Sequence, residues 1–153
     1  MTGGSAARLE AELLAKAGDA IVIADRDGRI LSWNAGAEAM FGYLAAEAMG
    51  ETLDLIVPER LRERHWAGYK ATMQTGHTSY GDRLLAVPAA RRDGTRMSIE
   101  FRVTLLGDED GRPMAIGAVI RDVTERWAEE RRLRERLARL EDEQKSGDAG
   151  QHP

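Results

Sequence analysis

The chain has 153 residues, 42% hydrophobic and 31% charged, which suits one ordinary domain with extensions. A formal net charge of -4 argues against a nucleic-acid interface, which would show as a basic face. Cysteine is absent, which excludes disulfides, thiolate nucleophiles, cysteine-held metals and cysteinyl-flavin photochemistry together.

Met1 to Ala7 is small and polar, with no apolar stretch behind a basic patch. No run approaches the ~18 apolar residues of a membrane span, so a soluble, cytoplasmic protein is expected. From Ala7 to Ala17, Leu9, Leu13 and Leu14 recur at helical spacing among good helix formers, and an amphipathic helix is predicted. Ala20 to Ala24 is a short apolar run of strand type. Asp25-Arg26-Asp27-Gly28 is a turn sequence, and Arg29 to Asn34 returns as a second strand. Ala35 to Tyr43 reads as a short helix. Leu44 to Leu55 reads as irregular helix broken at Gly50, stopped by Val57-Pro58.

Glu59 to Thr75 is predicted as a longer helix with Gly76 as its C-cap, placing Leu61, His65, Gly68 and Thr72 on one face. Arg83 to Arg91 is a strand whose Pro88 suggests an edge or a bulge. Asp93-Gly94 is a turn. Met97, Ile99, Phe101, Val103 and Leu105 then alternate with polar residues in the clearest strand of the chain. An acidic turn from Gly107 to Pro113 leads to a last strand, Met114 to Ile120. A helix follows, with Asp122 as candidate N-cap and Glu125 completing a capping box. It is expected to run to about Glu143, with a partial seam of Val123, Trp127, Leu133, Leu137 and Leu140. Lys145 to Pro153 is polar and expected to be disordered.

This order gives an α+β fold, an antiparallel sheet with helices on one face. Together with Asp19-Ala20-Ile21-Val22-Ile23, Asp27-Gly28, Trp33-Asn34, Phe41-Gly42-Tyr43, Arg92-Asp93-Gly94 and Arg121-Asp122-Val123-Thr124-Glu125, it resembles the PAS family from about Asp19 to Arg126. The resemblance implies a five-stranded antiparallel sheet, a pocket between sheet and helices, a non-catalytic sensing role and frequent dimerisation. The chain then divides into a cap helix (1–18), a sensor domain (19–121), an exit helix (122–144) and a tail (145–153). Asp122 and Thr124 match the family's signalling-linker motif, although helix capping accounts for them equally well.

Within the family, Pro58-Glu59, Arg64-His65 and Arg92-Asp93-Gly94 resemble the FixL-type haem PAS domains. That resemblance puts His65 on the axial-ligand position of a haem b. It gives the cofactor Leu61, Gly68 and Tyr69 on the histidine helix and Leu85, Phe101 and Val103 on the sheet. The iron would sense a diatomic gas (CO, NO or O2) or redox state. The arginine that holds oxygen in such sensors falls on Leu85 here, with Arg83 two residues away. A site without that donor would favour carbon monoxide or nitric oxide. Met73 and Met97 are candidate sixth ligands, and ordinary packing is the plainer role for both. A solvated helix surface is the plain alternative for the Arg-Glu-Arg-His run. Two further readings stay open: a PAS domain for another ligand, such as flavin or an organic acid, and a cofactor-free module that dimerises or docks a partner. No phosphoacceptor box, cyclase motif, helix-turn-helix or phosphate loop is present, so output is expected through an effector domain or partner protein. A homodimer is expected from the apolar strips of the first and last helices.

Overall fold

The structure is a computed structural model and describes residues 3–78 and 83–149, with side chains described to residue 147. Its elements are α1 (Gly3–Lys16), β1 (Ala20–Asp25), β2 (Ile30–Trp33), α2 (Ala35–Phe41), α3 (Ala45–Ala48), α4 (Arg62–Thr75), β3 (Leu85–Ala90), β4 (Arg96–Gly107), β5 (Pro113–Asp122) and α5 (Thr124–Ala149). Single 3-10 turns occupy Leu53–Leu55 and Glu59–Leu61. The chain parts into two units between Asp122 and Val123, the second being α5 with its flanks.

The five strands lie in the order β2-β1-β5-β4-β3, each pair antiparallel. First and last strands are neighbours, with Val22 opposite Ala118. The strand period of two puts one set of side chains on a single face. Ala20, Val22, Ala24, Ala89, Met97, Ile99 and Ile120 are buried there. Pro88 sits on the outermost strand β3, where a missing N–H is tolerated. Phe41 and Ile30 are the largest fully buried side chains. Trp33 stacks on Phe41 with ring centroids 5.4 Å apart and donates its Nε1–H to the Tyr43 carbonyl at 2.9 Å.

Asn34 is the one buried polar residue among the described residues, and all its hydrogen-bonding capacity is spent on its neighbours. Its Oδ1 accepts from the backbone N–H of Ile21 at 2.8 Å and of Ala37 at 3.0 Å, the latter capping α2. Its Nδ2 donates to the carbonyls of Leu14 at 2.9 Å and Asp19 at 3.0 Å. One side chain therefore joins α1, β1 and α2.

Several boundaries differ from the sequence expectation. The irregular stretch 44–55 resolves into the four-residue α3 and a 3-10 turn, as Gly50 and Thr52 interrupt continuous helix. Asp122 also serves the sheet. It is the last residue of β5, opposite Ile99, and its carboxylate meets the Arg91 guanidinium at 3.0 Å. Val123 intervenes before the helix begins at Thr124. Residues 145–149, expected to be disordered, continue α5. Extending an existing helix fixes one residue per bond, so weak formers can propagate where they could not nucleate. Residues 150–153 lie outside the described part. Among the described residues, no helix is long and apolar enough to cross a membrane.

Candidate functional site

Between the inner sheet face and α4 lies a cavity of about 450 Å³. The sheet supplies the alternating row Val22, Ala24, Ile99, Phe101, Val103, Ile116, Ala118 and Ile120, with Leu85 and Val87 from the edge strand. The opposite wall is α4 and the turns before it. Leu61, Arg64, His65, Gly68, Tyr69 and Thr72 face the space at helical spacing. Every residue expected to surround a cofactor lines this one cavity: Leu61, His65, Gly68 and Tyr69 from the helix, and Leu85, Phe101 and Val103 from the sheet. A β-carbon built on Gly68 would meet nothing within 4 Å, so the glycine widens the space beside the helix.

Three contacts fix α4 against the turn between β1 and β2. Trp66 lies over Gly28, whose φ of +78° forms the turn, and donates its Nε1–H to Asp54 at 2.8 Å. The Tyr69 hydroxyl donates to the Asp25 carbonyl. Arg26 donates to the carbonyls of Pro113 and Met73. Burial, and behind it the carboxylates of Asp25 and Asp27, pushes the Tyr69 phenol pKa well up, so Tyr69 is a structural donor at neutral pH. None of these turn contacts has a periodic sequence signal. The sequence feature nearest to them is the aromatic pair Trp66 and Tyr69, three residues apart on α4.

His65 stands edge-on to Trp66, with centroids 4.7 Å apart, and near Tyr69 at 5.9 Å. Its Nδ1 is buried without a hydrogen-bond partner. Burial lowers its pKa, with the Asp54 carboxylate pulling the other way, so the imidazole is neutral at pH 7.

The residues around His65 do not bear out the haem b expectation. Among the described residues, no group of three or more His, Cys, Asp or Glu side chains is arranged to hold a metal ion. His65 is an isolated donor, and nothing accepts from Nδ1 to set the tautomer as a ligating imidazole requires. The iron and its gas ligands fall with this reading. So does the preference for carbon monoxide over oxygen expected from Leu85. Arg83 precedes β3 and does not line the cavity, while Met73 and Met97 are buried core residues. His77 lies just after α4, and His152 lies outside the described residues.

Comparison with known proteins agrees with this architecture. The family described as PAS fold matches residues 14–128. An uncharacterised protein of Azorhizobium caulinodans is 33% identical over 121 residues, covering 78% of this chain and 16% of that protein. Sensor protein FixL of Bradyrhizobium diazoefficiens is 30% identical over 125 residues, covering 80% of this chain and 24% of that protein. The chain thus spans a quarter or less of these curated relatives. Among solved structures, the PAS domain of a protein from Colwellia psychrerythraea superposes with a TM-score of 0.69 at 22% identity, covering 78% of this chain and 98% of that one.

Proposed function

This chain belongs to the PAS-fold family, and from that membership we propose that it is a signal-sensing domain whose cavity takes a small organic ligand other than haem. The fold is one of sensor domains, which are generally not catalysts. The carrying observation is the cavity itself. Its volume of about 450 Å³ falls within the range of ordinary ligand sites, and aliphatic and aromatic side chains make up most of its wall. Its polar groups are few: Arg64, His65, Tyr69, Thr72 and Thr78. The Tyr69 hydroxyl is already committed to Asp25. Among the described residues, no Asn or Gln lines the wall to read the polar edge of a flavin, which favours a ligand with an apolar body.

The signal is read out in this proposal by a partner protein or by an effector domain of a longer polypeptide. Asp122 and Thr124 join the sheet to α5 as its linker. A second copy of the chain is the proposed dimer partner. Support comes from α1, which buries no residue and exposes Leu9 and Leu13, and from the exposed Leu133, Leu137 and Leu140 of α5.

The test is titration with the apolar dye Nile red, alongside Ala118→Phe, which fills the cavity from β5. Saturable binding of one dye per chain that is lost in the folded variant is expected. A folded wild-type protein that shows no saturable uptake would sink the ligand reading.

A further inference from the structure

We infer that the cavity's ligand is an aliphatic monoanion, a carboxylate on an alkyl chain, with Arg64 holding the head group at the mouth. The inference rests on the reading of the cavity as a ligand site and assigns the ligand's chemistry.

Arg64 lines the cavity and is also solvent-exposed, which places it at the rim. It is the one charged side chain among the described lining residues. Its guanidinium makes no hydrogen bond or ion pair with a described residue. Arg62, half a turn away, differs: it donates to the carbonyls of Val57 at 3.2 Å and Asp54 at 3.2 Å and lies 3.8 Å from the Asp54 carboxylate. The helix thus carries one arginine that ties down its own N-terminal turn and another whose donors are unspent beside an apolar cavity. A guanidinium presents a planar fork that matches a carboxylate bidentately. The remaining polar groups among the described lining residues are neutral, His65 included, so no second head-group charge has a counterpart among them. The complement of an apolar chamber with one cation at its rim is an amphiphile with one negative end.

The alternatives fit less well. A dicarboxylate would bury its second charge unpaired, which is prohibitively costly in an apolar site. A cationic amphiphile would meet Arg64 head-on. A neutral alcohol would gain the chamber and accept at most a neutral hydrogen bond from the guanidinium, leaving its charge unpaired.

The test is competition against bound Nile red by decanoate, decanol and decylammonium, with wild type and Arg64→Gln. Arg64 is exposed, so the variant is expected to fold, and circular dichroism checks this. Decanoate should displace the dye about tenfold more tightly than decanol, and decylammonium should be weakest. In Arg64→Gln, decanoate should fall to the level of decanol, with decanol unchanged. Equal displacement by decanoate and decanol in wild type would overturn the anion assignment while leaving the cavity as a ligand site. A uniform loss for all three in the variant would reduce Arg64 to a packing residue and overturn it too. Displacement by none of the three from a protein that binds dye would overturn the aliphatic class. Failure of the dye itself to bind would overturn the ligand reading beneath it.

Discussion

Trp66 lies where a β-carbon on Gly28 would have to be: such an atom would come within 2.1 Å of the indole ring. The turn between β1 and β2 and the cavity helix α4 are therefore fitted to each other through a missing side chain. Gly28 also has a φ of +78°, in the left-handed region. Gly28→Ala should cost about 2 kcal/mol or more, combining backbone strain with displacement of the indole. Urea denaturation measures this. The tryptophan emission should change as well, because the Trp66 bond to Asp54 at 2.8 Å would be disturbed.

Replacing Asn34 with alanine strands several half-buried polar groups and one buried N–H at once. The N–H of Ile21 and the carbonyls of Leu14 and Asp19 lose their partner, and α2 loses its cap. A loss of about 3 kcal/mol or more is expected, since each unsatisfied buried group costs ~1–3 kcal/mol. Asn34→Asp should also be poorly tolerated, because a carboxylate cannot donate to those carbonyls. A thermal midpoint within a degree or two of wild type in either variant would contradict this account.

Gly68 separates stability from ligand binding. It lies inside α4, and a β-carbon there meets no neighbour. Gly68→Ala should raise the stability of the ligand-free protein by about 0.5–1 kcal/mol through helix propensity. Gly68→Leu should fill part of the cavity and weaken Nile red binding several-fold. Denaturation midpoints and dye titration on the same two variants check both statements.

His65 gives an acid-side dependence of stability. Its folded pKa is lowered from the ordinary value of 6.5, mainly by burial, with Asp54 opposing. Below that ordinary value the unfolded chain binds the proton more readily than the folded one. Stability is therefore full above about pH 6.5 and declines as the pH falls from there towards the folded pKa. His65→Leu should abolish this part of the decline. Urea midpoints at pH 7.5 and 5.5 for both proteins provide the comparison, and equal losses would refute it.

Helix α5 carries the prediction about self-association. With Leu133, Leu137 and Leu140 as one seam, a parallel pairing sets Glu129 against Arg134 and Arg136 against Glu141 across the two copies, opposite in sign at both places. Arg126 and Glu130 interrupt the same seam nearer the sheet and lie 3.9 Å apart within one helix. Leu137→Glu should shift the protein from dimer to monomer in light scattering. Arg136→Glu, which places like charges together, should weaken the dimer more at low salt than at high salt. A wild-type monomer at high concentration would remove the proposed partner.

Much of this fold was legible along the chain. The alternation from Met97 to Leu105 announced β4, because a strand with one buried face must repeat every two residues. Spacings of three and four on α4 collected Leu61, His65 and Gly68 on one side, and Gly76 ended that helix with a φ of +73°. Local rules of period, turn and cap set these features, so sequence by itself determined the elements and their order, while Leu85, Phe101 and Val103 were named only through the family resemblance. What a position does depends instead on groups brought near from elsewhere. The FixL-like spacing placed His65 at a ligand position but carried no information about the partners around it; its Nδ1 has none, and no metal-holding group surrounds it among the described residues. Asp122 carried a capping motif, which gave no hint that the sheet register extends β5 through it and brings its carboxylate to Arg91, 31 positions away. Only the tertiary structure made Asn34 the joint of three elements, fitted Trp66 to Gly28, and left Arg64 uncommitted at the cavity mouth where Arg62 is bound. Hydrogen bonding, burial and charge pairing depend on distances through space, and one-dimensional spacing fixes those only within a turn or a strand.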